Sequence, residues 1–95
     1  MVTVTQSVKL DTTTSSDAAA DIIDRSNLEP LKWCSFTVED GDCYIRFNSG
    51  AATSSDMYIK QDEVYTTPPM KARITRISVI RKTSTNVTIR GSAWW

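Results

Sequence analysis

Apolar and polar side chains alternate from the start of the chain. Val2, Val4, Gln6, Val8 and Leu10 take one parity, and Thr3, Thr5, Ser7 and Lys9 the other. A period of two is that of a strand with one buried face. The alternation returns at the C-terminus, where Val87, Ile89, Gly91, Ala93 and Trp95 interleave with Thr88, Arg90, Ser92 and Trp94. Between these ends, Leu31–Val38, Tyr44–Phe47, Met57–Ile59, Val64–Thr66 and Ala72–Arg81 read as strands. The last is apolar on both faces, with Ile74 and Ile80 on one and Ile77 and Val79 on the other, so it is expected to be central or bulged. Polar stretches separate the strands: Asp11–Ser16, Ser26–Pro30, Asn48–Asp56, Lys60–Glu63 and Lys82–Thr85. Pro68-Pro69 interrupts the pattern, since neither residue can donate to a ladder. Asp17–Arg25 is ambiguous. Three alanines behind a capping Ser16 favour a short helix, but Asp24 stands at the end where the helix dipole disfavours it. We read it as a loop with a short strand at Ile22-Ile23.

Asp40-Gly41 is the strongest short hairpin signal in the chain. With those two residues as the loop, Val38 faces Cys43, Phe36 faces Ile45 and Cys34 faces Phe47, each pair apolar on both sides. Trp33, Ser35, Thr37, Tyr44 and Arg46 then share the outer face. In this register Cys34 lies roughly 13 Å from Cys43 along the strand. A disulfide needs Cα atoms within about 7 Å, so both cysteines are expected to be reduced core residues.

Strands this short and closely spaced define the fold class: all-β, a small antiparallel β-sandwich or jelly-roll-like barrel of about seven strands. The chain of 95 residues is long enough for one domain. Residues 31–95 are expected to form its core, with residues 1–30 as a candidate extended arm. Thirteen Thr and eleven Ser suit strands and turns respectively. No run approaches the ~20 apolar residues of a membrane-spanning helix. The N-terminus lacks the basic and apolar regions of a secretory signal. The expectation is a chain that stays in the cytoplasm where it was made, or leaves inside a larger particle.

Charge changes the picture more than composition does. All eleven acids lie at or before Glu63, where only five of the eleven cations fall; the remaining six, Lys71, Arg73, Arg76, Arg81, Lys82 and Arg90, follow without an acid among them. The first part therefore carries −6 and the second +6. A neutral chain divided in this way can pair its halves across strands or meet copies of itself head to tail.

Candidate chemistry is thin. There is no histidine, which removes Ser-His and Cys-His nucleophilic systems and the commonest metal ligand. Cys34 and Cys43 face a core and do not read as zinc ligands. Glu39, Asp40 and Asp42 crowd one turn and could hold calcium or act as paired carboxylates, but the turn itself accounts for them. Asn86-Val87-Thr88 matches a glycosylation acceptor that strand alternation explains equally well. No catalytic, cofactor-binding or metal-binding residue is assigned. The late cations beside Trp33, Tyr44 and Tyr58 raise single-stranded nucleic acid as a ligand, which zero net charge and eleven acids disfavour. Trp33 and Tyr44 beside Arg46 form the kind of patch that partners use, or that stacks a sugar. Of the terminal pair, Trp95 continues the inward face and Trp94 the outer one.

The segments Tyr44–Gly50, Ala52–Ile59, Asp62–Tyr65, Ile77–Arg81 and Asn86–Arg90 follow one another in a layout that resembles small structural proteins of tailed bacteriophages. A strand ends in a small-residue loop; a short strand with an acidic turn follows, then a central strand, then an alternating strand. The resemblance covers about residues 31–95 and is a pattern of turns and spacings. It implies a head decoration (cement) or connector protein, non-enzymatic and multimeric, assembled into a virion in the host cytoplasm. Its partners would be capsid or tail subunits and copies of itself. Trp33, Tyr44, Arg46 and Trp94 are the expected contact residues, with Arg73 and Arg76 as partners for a neighbour's acids. The competing readings are a carbohydrate-binding module or fibre-associated adhesin, and a small barrel for single-stranded nucleic acid.

Overall fold

Alternation of the kind just described becomes eight strands in the computed structural model, which describes residues 7–14, 17–66 and 73–95, with Ser7 and Val8 as backbone only. They are β1 (Ser7–Thr13), β2 (Ala20–Asp24), β3 (Trp33–Glu39), β4 (Cys43–Phe47), β5 (Met57–Ile59), β6 (Val64–Thr66), β7 (Arg76–Arg81) and β8 (Thr88–Trp94). No helix occurs among the described residues. The expected strand over Val2–Gln6, the Ser16 cap, Lys71 and the Pro68-Pro69 break lie outside them.

Two four-stranded antiparallel sheets result, in the orders β1-β8-β3-β6 and β2-β7-β4-β5. The partners have a simple rule. β1 pairs with β8, β2 with β7, β3 with β6 and β4 with β5. This is one long hairpin folded on itself and rolled up; rolling adds the contacts β3 with β8 and β4 with β7. Two sheets with this connectivity form a jelly roll. The strand β7, apolar on both sides, sits inside its sheet, and a register shift between Asp21 and Ile23 marks a bulge in its neighbour β2.

The core lies between the sheets. Leu10, Phe36, Val38, Ile45, Ile77, Val79 and Ile89 are all buried there, with Cys34 and Cys43. Both cysteines are free thiols. Burial pushes the Cys43 thiol up to about 12, and the nearby Asp42 charge adds to that. Gly91 occupies an inward position opposite Phe36. A Cβ there would stand 2.0 Å from the Ser35 carbonyl oxygen and 2.5 Å from Phe36 Cα. Only glycine lets β8 approach β3 so closely.

The expected β3–β4 hairpin does not form. Both strands keep the predicted inward residues, but β3 belongs to one sheet and β4 to the other. Asp40-Gly41 is a corner between sheets. Asp40 takes a φ of 74°, while Gly41 is buried, and a Cβ placed there would stand 3.3 Å from the Thr85 and Val87 methyls. The type I′ turn that Asp-Gly signals needs positive φ at both positions, and only Asp40 has it. The register argument for the separation of Cys34 and Cys43 therefore falls, although the thiols are free. Within the expected arm, the described strands belong to the sheets: β1 pairs along its whole length with β8, and β2 forms the edge beside β7.

Candidate interaction surfaces

Because β3 and β4 part, the aromatic residues expected on one outer face divide between two. Trp33 lies on the outside of the β1-β8-β3-β6 sheet, directly opposite Trp94 in register. Their rings meet edge to face, with centroids 5.8 Å apart and planes at 66°, a favoured aromatic geometry. Both are half-buried. Beyond them the face is mostly short and polar, with exposed Val64 opposite Thr37 as its apolar exception. The Ser35 and Thr66 hydroxyls are 2.9 Å apart, and Thr37 donates to the Arg90 carbonyl. Arg90 pairs with Glu39 at 3.4 Å. Trp95 points the other way and packs against the core. The guanidinium of buried Arg25 lies 3.9 Å from the centre of its ring and donates from Nε to the Glu29 carbonyl at 2.7 Å. That arrangement satisfies a buried cation with π density and a carbonyl. No spacing in the sequence points to it.

Tyr44 lies on the outside of the other sheet. It stands opposite Tyr58 of β5, with ring centroids 5.9 Å apart. Lys82 Nζ sits 4.5 Å over the Tyr58 ring. The Tyr58 hydroxyl donates to Asp42 at 2.9 Å, which raises the phenol above its ordinary value. Asp42 is held low, first by the Gln61 backbone N–H and then by that phenol.

Arg46 is a strut in the β4–β5 loop. Its Nε donates to the Ser49 carbonyl at 2.6 Å, and its guanidinium pairs with Asp56 at 3.5 Å. Asp56 accepts from the Thr53 backbone N–H at 2.7 Å, which lowers its pKa more than any other contact does. The loop so closed lays Ala52 on the sheet, where its N–H donates to the buried Ser78 hydroxyl at 3.0 Å. Ser78 in turn donates to the Ala20 carbonyl. The sequence offered small residues in this loop but no sign that it would fold back.

The charge division resolves largely within the chain. Arg76 pairs with Asp21 at 2.7 Å and Arg81 with Asp17 at 2.9 Å. Arg76 is therefore committed to its own β2. Arg73 is exposed and makes no such pair among the described residues; with Glu29, Pro30 and Lys32 it lines a cleft of about 310 Å³. Of the glycosylation acceptor, Asn86 receives a hydrogen bond from Arg81 at 2.6 Å, and Thr88 is buried.

Among the described residues, no group of three His, Cys, Asp or Glu side chains is placed to hold a metal ion, and no helix is long and apolar enough to cross a membrane. No family model, curated protein or solved structure matches the chain.

Proposed function

We propose that this chain is a non-enzymatic structural component of a bacteriophage virion, of decoration or connector type, whose contact surface is the Trp33–Trp94 end of the β1-β8-β3-β6 sheet. The observation that carries this reading is the strand order. An eight-stranded jelly roll is an architecture of viral shells as well as of lectins and cupins. Fold alone names no function; the spacing of turns from Tyr44 to Arg90 supplies the narrower assignment. Of the residues expected to make contacts, Trp33 and Trp94 face outward as a half-buried pair in mutual contact. Arg46 and Arg76 are engaged within the chain.

The test is co-sedimentation with virions stripped of their small proteins. The parent chain binds, and Trp33→Ala remains folded but loses about tenfold or more in affinity, as an aromatic anchor would. Failure of the parent chain to bind any particle fraction overturns the reading. A second reading has its own observation. The Tyr44–Tyr58 pair, with Asp42 and Lys82 beside it, offers ring faces and hydrogen-bonding groups to a sugar. It predicts a change in tyrosine fluorescence on adding oligosaccharide, which the virion reading does not.

A further inference from the structure

Ion pairs on the flanks of the sandwich join acids of the first half to cations of the second. What they leave over is divided unevenly: an acid surplus at one end, and two unpaired cations beside one acid, Glu29, in a cleft at the other. At one end lie the turn after β3 and the turn between β5 and β6. The two are bound together: Asp62 N–H donates to the Val38 carbonyl, and Val38 N–H donates to the Glu63 carbonyl. Residues 39–42 and 60–63 carry five acids, Glu39, Asp40, Asp42, Asp62 and Glu63, against two cations at the same end, Lys60 and Lys82, the latter donating its backbone N–H to the Asp42 carbonyl. Glu39 is held by Arg90, and Asp42 by Tyr58 and Gln61. Asp40, Asp62 and Glu63 are exposed and have no ion pair among the described residues. At the other end, before β3 begins and after β8 finishes, Lys32 and Arg73 line the cleft with Glu29 and Pro30. Both cations are exposed, and neither has an ion pair among the described residues.

The two ends cannot neutralise each other within one molecule. β3 alone has seven residues and spans roughly 20 Å at ~3.3 Å per residue. The Debye length at physiological salt is only about 8 Å. A second molecule placed end to end brings the surplus acids into reach of the surplus cations.

We infer that the Lys32–Arg73 cleft receives the Asp40/Asp62/Glu63 tip of a second copy of this chain, in a head-to-tail contact. Such a contact is heterologous: each copy offers a tip at one end and a cleft at the other, so it builds a ring if the rotation closes and a string if it does not. The inference rests on the reading that the chain works by contact with other polypeptides, and it adds which surface meets a copy of itself. The Trp33–Trp94 face remains available to a different subunit.

Charge reversal with mixing tests it. One variant, K32E/R73E, has two acidic ends. The other, D40N/D62N/E63K, loses all three unpaired acids of the tip and gains a cation beside Lys60; asparagine is used at positions 40 and 62 because the backbone φ there is 74° and 70°, which Asn tolerates. Sedimentation velocity at low ionic strength is expected to show the parent associating with increasing concentration. Association falls as salt approaches about 1 M, where the Debye length is ~3 Å. Each variant alone loses about tenfold or more in self-affinity, and an equimolar mixture of the two associates again. The milder R73Q and E63Q chains, each with one charge removed, lose less than the reversals and keep the same direction. Equal association by the parent and both reversed chains overturns the inference, as does a parent monomeric at low salt or a mixture that fails to recover. Particle binding by a strictly monomeric parent removes this contact alone, whereas self-association without particle binding removes the virion reading.

Discussion

On the outside of the β1-β8-β3-β6 sheet the side chains include short hydroxyls, a cross-strand ion pair, exposed Val64 and two tryptophans in contact. On the outside of the β2-β7-β4-β5 sheet a loop lies across the strands, pinned by Arg46, Asp56 and the buried Ser78 hydroxyl. One face carries its aromatic pair at the sheet's end, half-buried by mutual contact. The other has brought in part of its own chain as cover. Two arginines chosen for their likeness to contact residues turn out to be internal struts, because an arginine five donors wide is satisfied most readily by carboxylates and carbonyls already nearby.

The comparison can be broken first at the centre of the uncovered sheet. Gly91→Ala places a methyl against the Ser35 carbonyl and the Phe36 backbone, neither of which can move without separating β3 from β8. A loss of about 3 kcal/mol or more is expected in urea unfolding. Next comes the cover on the other sheet. Ser78→Val leaves the Ala52 N–H without its acceptor and should lower stability by about 1–3 kcal/mol. Limited proteolysis should then cut faster within residues 48–56; an unchanged cleavage rate would mean that the loop is held in some other way. Trp33→Ala removes the edge-to-face contact with Trp94 and should cost about 1 kcal/mol in the free chain, a smaller effect than on particle binding. Arg90→Gln breaks a mostly exposed pair with Glu39 and should change stability by less than about 1 kcal/mol.

Acid sharpens the same contrast. The Asp56 carboxyl is held below its ordinary value of 3.8, chiefly by the Thr53 backbone N–H. A folded-state pKa below the unfolded one means that its stabilising effect is present above the unfolded value and fades as pH falls through the folded one. Asp24 and Asp42 are lowered in the same direction, by Ser26 and by Gln61 with Tyr58. Stability should therefore decline below about pH 4, and the decline should be shallower in Asp56→Asn. Thermal melts of the two chains between pH 6 and pH 3 check the sign.

Much of this fold could be read before any coordinates. Alternation placed Cys34, Phe36, Val38, Cys43 and Ile45 inward and Trp33, Tyr44 and Arg46 outward, and the burial agrees. It could not say which strand lies beside which. A strand's own period fixes its faces and is indifferent to the identity of its neighbour, so a hairpin and an inter-sheet corner give the same pattern from Trp33 to Phe47. The charge division pointed correctly to pairing between halves: Arg76, Arg81 and Arg90 each find an acid from the first half of the chain. The specific partners, the Arg25–Trp95 stack and the folded-back loop depend on tertiary contacts between residues far apart in sequence, and local patterning carries no trace of those.

Trp33 and Tyr44 lie on opposite outer faces, and under the proposed function only the first meets the particle. Binding of Trp33→Ala and Tyr44→Ala to virions stripped of small proteins, measured side by side, tests it most directly. The account predicts that Trp33→Ala loses affinity by about tenfold or more while Tyr44→Ala binds as the parent does. Equal loss in both variants, or parent-like binding by Trp33→Ala, would contradict it.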